Sequence, residues 1–296
     1  MKELTLVVMA AGMGSRFGGL KQIEPIDKFG HVLIDYSLYD ACLSGFTRVL
    51  FVIKKEIESD FKNVLSPRFS RLNMKVDYVY QEMSTLPLGY YVPKERKKPW
   101  GTAHAIACLS GLVDKSFAVI NADDFYGRDA FFKMSEFLGD GREECSMIGY
   151  KLEDTLSKSG GVSRGVCRVE QGTLRSINEM GGIERINDAI FSNGNIKLKS
   201  DIIVSMNFWG LTSNVVDECR LRFADFLKAN LTSDPLKCEF YLPEVISRLI
   251  NEGKIKVNVI NSLSKWYGVT YKKDKSEVSL ALEQMIENGL YPAKLC

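Results

Sequence analysis

No Cys-x-x-Cys pair occurs in this chain. Its seven cysteines stand singly at positions 42, 108, 145, 167, 219, 238 and 296. An odd, scattered set of this kind argues against a disulfide framework and against a zinc site. No charge of one sign is in excess either: 39 basic residues face 37 acidic ones, a formal net charge of +2. That balance gives no basis for a nucleic-acid or other polyanion-binding surface. Repeats, low-complexity tracts and Ser/Gly linkers are all missing. The opening apolar run, residues 4–10, is far too short to span a bilayer. It is also a poor signal peptide, because an acid precedes it and a glycine loop follows at once. A reducing, cytoplasmic setting with no membrane partner is the expectation. What the chain does have is 45% hydrophobic residues over 296 positions, enough for a substantial core. We expect one domain over residues 1–296, with halves meeting near residue 160.

Apolar runs and helical spacing alternate through the first half. Strands are expected at residues 4–10, 48–53, 76–80, 117–120 and 146–150. Helices are expected at 34–43, 57–65, 101–112 and 128–138. This alternation predicts a mostly parallel α/β sheet with helices on both faces. After residue 160 the texture changes. Residues 166–177 read as one hairpin and 189–199 as another, with Asn193-Gly194 at its turn. A strand at 202–211, helices at 213–229 and 243–252, a strand at 254–260 and a helix at 276–287 complete a mixed, partly antiparallel second half.

The first strand runs into Ala11-Gly12-Met13-Gly14-Ser15-Arg16-Phe17-Gly18-Gly19-Leu20-Lys21. Small residues let the backbone approach a polyphosphate, and Arg16 and Lys21 match its charge. The glycine spacing fits neither the dinucleotide fingerprint nor the Walker loop, since Leu20 stands where a Walker lysine belongs. Ligands of such sheets gather at the carboxyl ends of strands, where Asn121-Ala122-Asp123-Asp124 also falls. A carboxylate there suits Mg²⁺ shared with phosphates, although both acids could instead cap the helix near residue 128. Gly101-Thr102-Ala103-His104 opens a helix. Its free N–H groups and bare glycine suit a flat base, while Thr102 could be a plain helix-start residue. His104 could equally be packing. Between Gln81 and Gly101 lies a long segment in which Lys94, Arg96, Lys97 and Lys98 could close over phosphates or face solvent.

Taken in order, Ala-Ala-Gly-Met-Gly-Ser-Arg with Leu-Lys-Gln, then Gly-Thr-Ala-His-Ala, then Ala-Asp-Asp resemble the nucleotidylyltransferases. These include the sugar-1-phosphate nucleotidylyltransferases (NDP-sugar pyrophosphorylases) and their cytidylyltransferase relatives. The likeness spans residues 4 to about 280. It implies a Rossmann-like nucleotide-binding sheet, Mg²⁺ as cofactor, and transfer of a nucleotidyl group from an NTP to a phosphorylated small-molecule acceptor. By the same resemblance Ala11, Gly12 and Gly14 would line the base and phosphates, with Thr102 beside them. Arg16 would hold the departing pyrophosphate and Lys21 would bridge the two substrates' phosphates. Gln81 and Gly101 would contact the base, and Asp123 would hold the metal. Gly165, Glu179 and Asn207 would form the acceptor side. The Gly-Thr-Ala-His-Ala turn resembles uridylyltransferases somewhat more than purine-specific members, giving UTP, CTP, dTTP as the order of preference.

Two departures stand out. Met180 follows Glu179 where many family members have lysine, and Thr270 stands where we expect the second metal-binding Asp of a turn after Trp266. The scarcity of histidine, two in all, suits a reaction that needs no general base, because a phosphate dianion is already nucleophilic. The alternatives are an NDP-sugar-dependent glycosyltransferase and a nucleotide-binding relative without turnover.

Overall fold

Residues 3–12, 24–69 and 72–295 are described by the structure, a computed structural model. The first strand is β1 (Thr5–Met9), whose Leu6, Val7 and Val8 are fully buried. An apolar run without alternation has no face to give to water, so it sits between neighbours and under helices on both sides. β2 (Arg48–Ile53) pairs parallel on one flank of β1, with β3 (Lys75–Tyr80) parallel beyond it. On the other flank β4 (Phe117–Asn121) is also parallel. The chain therefore leaves β1 toward β2 and β3, then returns to β4 on the far side. This reversal opens a crevice beyond the carboxyl ends of β1 and β4.

The second half completes the same sheet. β11 (Ile203–Leu211) runs antiparallel between β4 and β6 (Cys145–Lys151), and β12 (Val257–Asn261) lies parallel to β6. The hairpin of β7 (Val162–Glu170) and β8 (Thr173–Ile186) turns at Gln171 and Gly172, both at positive φ. A second hairpin pairs β9 (Ala189–Ser192) with β10 (Ile196–Leu198). Its turn holds Asn193 at φ +49° and Gly194 at φ +74°. Asn and Gly are the residues that tolerate such angles, which is why the turn was readable.

Helices cover both faces. α1 (Leu33–Leu43), α2 (Glu58–Phe69) and α4 (Arg128–Gly139) bury Leu38, Phe61 and Phe131 against Leu6, Val8 and Phe51 on one side. α3 (Thr102–Ala107), α5 (Ser213–Asn230) and α6 (Leu242–Asn251) bury Ile106, Phe223 and Ile246 against Val7, Leu50 and Val52 on the other. Alternate residues of β1 and β2 thus serve opposite cores, as strand geometry requires. A third cluster, with Tyr36, Phe125, Leu282 and Tyr291, seats α7 (Asp274–Glu287) beside α1. A short two-stranded pair, β5 (Asp124–Phe125) and β13 (Tyr267–Gly268), stands apart from the main sheet.

Two elements are shorter than their periodicity suggests. α3 ends at Ala107 because the N–H groups of Leu109 and Ser110 reach back only three residues, and Gly111 then turns out at φ +76°. β12 begins at Val257, since Gly253 and Lys254 still close the end of α6. Among the described residues no helix is long and apolar enough to cross a membrane.

Candidate active site

Carboxyl ends of four parallel strands form the floor. Met9 lies opposite Asn121, and the Ala122 N–H donates to the Met9 carbonyl at 3.1 Å. The Ala10 N–H donates to Val52 at 2.9 Å, and the Gln81 N–H to Ile53 at 2.8 Å. Ala11, Gly12, Gln81 and Asp123 are thereby strung along one edge of the sheet. Gly14, Arg16 and Lys21 lie outside the described residues.

One end of this edge is closed by chain segments far apart in sequence. Gly101 adopts φ +109°, and a Cβ placed there would meet the Phe240 carbonyl oxygen at 2.6 Å and its nitrogen at 2.7 Å. Only glycine fits both the angle and the contact. The strands of chain on either side are laced together. Phe240 N–H donates to Trp100 O at 2.6 Å, Ala103 N–H to Phe240 O at 2.9 Å, and Leu242 N–H to the Thr102 hydroxyl at 2.9 Å. The helix start therefore has fewer open donors than its sequence suggests, and Thr102 already joins α3 to α6.

Gln81, 5% exposed, donates from Nε2 to Gly101 O at 2.8 Å, and the same nitrogen is 3.2 Å from His104 Nδ1. The other nitrogen of His104 is 3.3 Å from the Thr85 carbonyl, and its ring lies 4.5 Å from that of Phe223. Burial pushes the His104 imidazole down to about 4, against the raising effect of its hydrogen bond to the Thr85 carbonyl and helped by the Arg96 charge. It is a neutral, packed ring.

In the basic segment before Gly101, two of the four cations are bonded to the chain itself. Arg96 is 4% exposed, stacks over Trp100 at 3.7 Å, and donates to the carbonyls of Pro235 at 2.9 Å and Cys238 at 2.7 Å. Lys98 pairs with Glu239. Trp100 Nε1 fastens the strap to Met83 O at 2.9 Å. Both cations are used to hold residues 235–239, which in turn press Phe240 onto Gly101. Lys94 and Lys97 remain exposed.

At the centre of the edge the two adjacent acids part company. Asp124 is 9% exposed; its Oδ2 accepts from Asn121 Nδ2 at 2.8 Å and lies 3.2 Å from the Tyr126 hydroxyl. Asp123 is half-buried. The N-cap of α4 is Gly127, which has no side-chain bond to give. The residue set opposite Asp124 is Gly268, through the β5–β13 pair, and not Thr270. A Cβ at Gly268 would meet the Trp266 ring at 2.3 Å, so the turn has no room for a carboxylate at that point.

The remaining wall comes from the second half. Gly165 and Glu179 face each other across the β7–β8 hairpin, and Gly165 also pairs with Ser205 of β11. Two residues on, Asn207 takes φ +61° where the β11 register shifts. Its N–H donates to Ser205 Oγ at 3.2 Å, and Trp209 Nε1 donates to its Oδ1 at 3.3 Å. A bulged strand with a left-handed asparagine is a device for redirecting a side chain at a site. The Glu179 carboxyl titrates above its usual range, chiefly through desolvation, with Arg164 pulling down and Glu244 pushing up. Arg164 does not offer its guanidinium to a ligand freely. It donates to Thr155 Oγ1 at 3.2 Å and Ser163 O at 2.8 Å, and lies over Trp266 at 4.9 Å.

A strand-end edge with the small residues Ala11 and Gly12, a buried amide, a half-buried carboxylate and a flanking Gly–Glu pair suits a nucleotide and a second small molecule side by side. The family model described as nucleotidyl transferase matches residues 5–179, which take in every described candidate residue except Asn207. Among solved structures, a UDP-glucose pyrophosphorylase complexed with UDP-glucose is 19% identical, with 96% of this chain and 99% of that chain covered and a TM-score of 0.60. The inositol-1-phosphate CTP transferase from T. maritima is 14% identical, with 96% and 97% covered and a TM-score of 0.63. Likeness at these identities establishes the fold. No curated protein sequence matches the chain.

Proposed function

The chain belongs to the nucleotidyl transferase family, and from that premise we propose that it moves a nucleoside monophosphate from an NTP to a sugar 1-phosphate. Pyrophosphate is released. UTP is the first candidate donor, ahead of CTP and dTTP. One observation carries this reading: the Ala11–Gly12 loop start, the Gln81–Gly101 pair and Asp123 lie on one strand-end edge, with the Gly165–Glu179 pair beside it. The named substrates of the two similar structures, UDP-glucose and a CTP-dependent inositol 1-phosphate reaction, are of the same chemical kind.

In this reading an oxygen of the acceptor phosphate attacks the α-phosphorus. The bond from that phosphorus to the β-bridging oxygen breaks, and pyrophosphate leaves with the electron pair. No proton need be moved. Ala11, Gly12 and Gly14 approach the nucleotide with backbone, Arg16 takes the charge of the leaving pyrophosphate, and Lys21 lies between the two anions. Glu179 and Asn207 hold acceptor hydroxyls, next to the open face at Gly165.

Mg²⁺ fits this donor set in a particular way. Among the described residues no three His, Cys, Asp or Glu side chains gather as a cage. A single carboxylate beside phosphate oxygens is a common arrangement for Mg²⁺, which keeps waters and shares substrate ligands. Asp123 would hold the ion, which supplies neutralising charge to the phosphates. The experiment that tests the proposal is a pyrophosphate-release screen crossing the common NTPs with phosphorylated acceptors. Release with UTP and a sugar 1-phosphate is expected; no release with any pair would defeat it. Thr270 and Met180 favour a second reading, a nucleotide-binding relative without turnover. Tight NTP binding by calorimetry, with that screen blank, would establish it.

A further inference from the structure

We propose that His104 is a positioning residue that holds the Gln81 amide with its carbonyl toward the base, so that the site takes uracil or thymine in preference to cytosine. The inference rests on the reading of Gln81 as a base contact and deepens it.

The argument is one of donors and acceptors. The Gly101 carbonyl can only accept, so the Gln81 atom 2.8 Å from it must be the amide nitrogen. Turning the amide over would set oxygen against oxygen in a buried place. The Thr85 carbonyl likewise can only accept, so His104 Nε2, 3.3 Å away, carries the ring hydrogen. That leaves His104 Nδ1 bare, and it receives the second Gln81 N–H at 3.2 Å. Polarity thus runs one way from Gln81 through His104 to Thr85. Both hydrogens of the amide are committed, one to Gly101 and one to His104. The only function Gln81 has left for a ligand is its Oε1, an acceptor.

Uracil and thymine carry a hydrogen on ring nitrogen N3, whereas cytosine has a lone pair there. A cytosine seated in the same way would set that lone pair against the Gln81 carbonyl. Sites built around a specific hydrogen bond discriminate strongly against an analogue that cannot make it, because a desolvated polar group is left unpaired. His104 is 2% exposed and its ring lies against Phe223, so its orientation is fixed by packing. It is also held neutral: burial lowers it to about 4. A proton on Nδ1 would meet the Gln81 N–H donor to donor. Gly101 and His104 are three residues apart, one turn of α3, which is how one short motif presents both partners to Gln81. The order of donors then becomes UTP and dTTP, with CTP last.

The test compares UTP, dTTP and CTP in pyrophosphate-release kinetics and in calorimetric titration of the intact chain. UTP and dTTP are expected to exceed CTP by at least about tenfold in kcat/KM. His104→Phe keeps a ring in the packing and removes the acceptor. It should lower the UTP-to-CTP ratio by about fivefold or more, mainly through KM for UTP, and His104→Gln, which retains an acceptor, should recover part of it. A merely structural histidine would weaken all three nucleotides together and leave the ratio unchanged, which would overturn the inference. Should the variants fail to fold, imidazole ¹⁵N spectra of the unmodified protein decide, with only His31 and His104 to assign. A neutral Nε2–H tautomer at pH 6 is required; an Nδ1–H tautomer or a charged ring contradicts it. If the unmodified protein binds no NTP, the base-contact reading falls and this inference with it. If it binds UTP and CTP equally, only this inference falls.

Discussion

The two ends of the crevice are built on opposite plans. Around Gln81 the polar groups are matched within the chain: Gly101, His104, Thr85, Thr102, Phe240 and Leu242 form a closed set of bonds. The Arg96–Trp100 strap braces that set from behind. At Glu179 and Asn207 the side chains stand exposed or half-exposed, with a carboxyl shifted upward and a backbone in the left-handed region. The difference teaches where the binding geometry is prepared in advance. On the proposed reading the base end is organised by folding itself, while at the acceptor end the Glu179 carboxyl stands open for a ligand.

The largest test of this contrast lies between the two ends. Asp123→Asn should reduce pyrophosphate release by on the order of 10²–10³-fold, because charge at the phosphates is lost. Its melting temperature should stay close to that of the unmodified protein, since Asp123 is half-buried and asparagine keeps its size. A variant that loses stability instead would make Asp123 a structural acid.

Next comes the prepared end. Gly101→Ala must place a Cβ 2.6 Å from the Phe240 carbonyl in a positive-φ conformation. We expect a loss of roughly 3 kcal/mol in urea unfolding, with nucleotide binding lost together with it. Arg96→Met should cost about 2 kcal/mol by the same measurement, since buried carbonyls of residues 235 and 238 lose their donor. UTP affinity should fall in that variant although the residue touches no ligand, and an unchanged affinity would show that the strap does not support Gly101.

The smallest effect belongs to the open end. Glu179→Gln should raise KM for the acceptor about tenfold, with KM for UTP and the unfolding midpoint little changed. If KM for UTP rises equally, the two ends are not separable and the contrast fails.

Much of the fold was legible because its signals are local. Residues 49–53 are apolar without a break, and β2 spans Arg48–Ile53. Asn193-Gly194 announces a turn that needs two positive φ angles. The site was legible only as far as chemistry shows in the residue type. Gly101 was visible as a small residue at a helix start, but the reason it must be glycine is Phe240, which lies far along the chain. Arg96 was visible as a cation, yet its partners are carbonyls that no sequence pattern marks. No sequence pattern marks the β5–β13 pairing that sets Gly268 opposite Asp124. His104 read as packing until Gln81 came to rest against it from another strand.

The central claim is that the nucleotide end is ready before the acceptor arrives. Calorimetric titration of the free protein with UTP and Mg²⁺, and separately with glucose 1-phosphate, tests it most directly. The account predicts saturable UTP binding without acceptor, and glucose 1-phosphate binding that is detectable only once a non-reacting UTP analogue and Mg²⁺ occupy the site. Glucose 1-phosphate binding as tightly to the empty protein as to the nucleotide complex would contradict it.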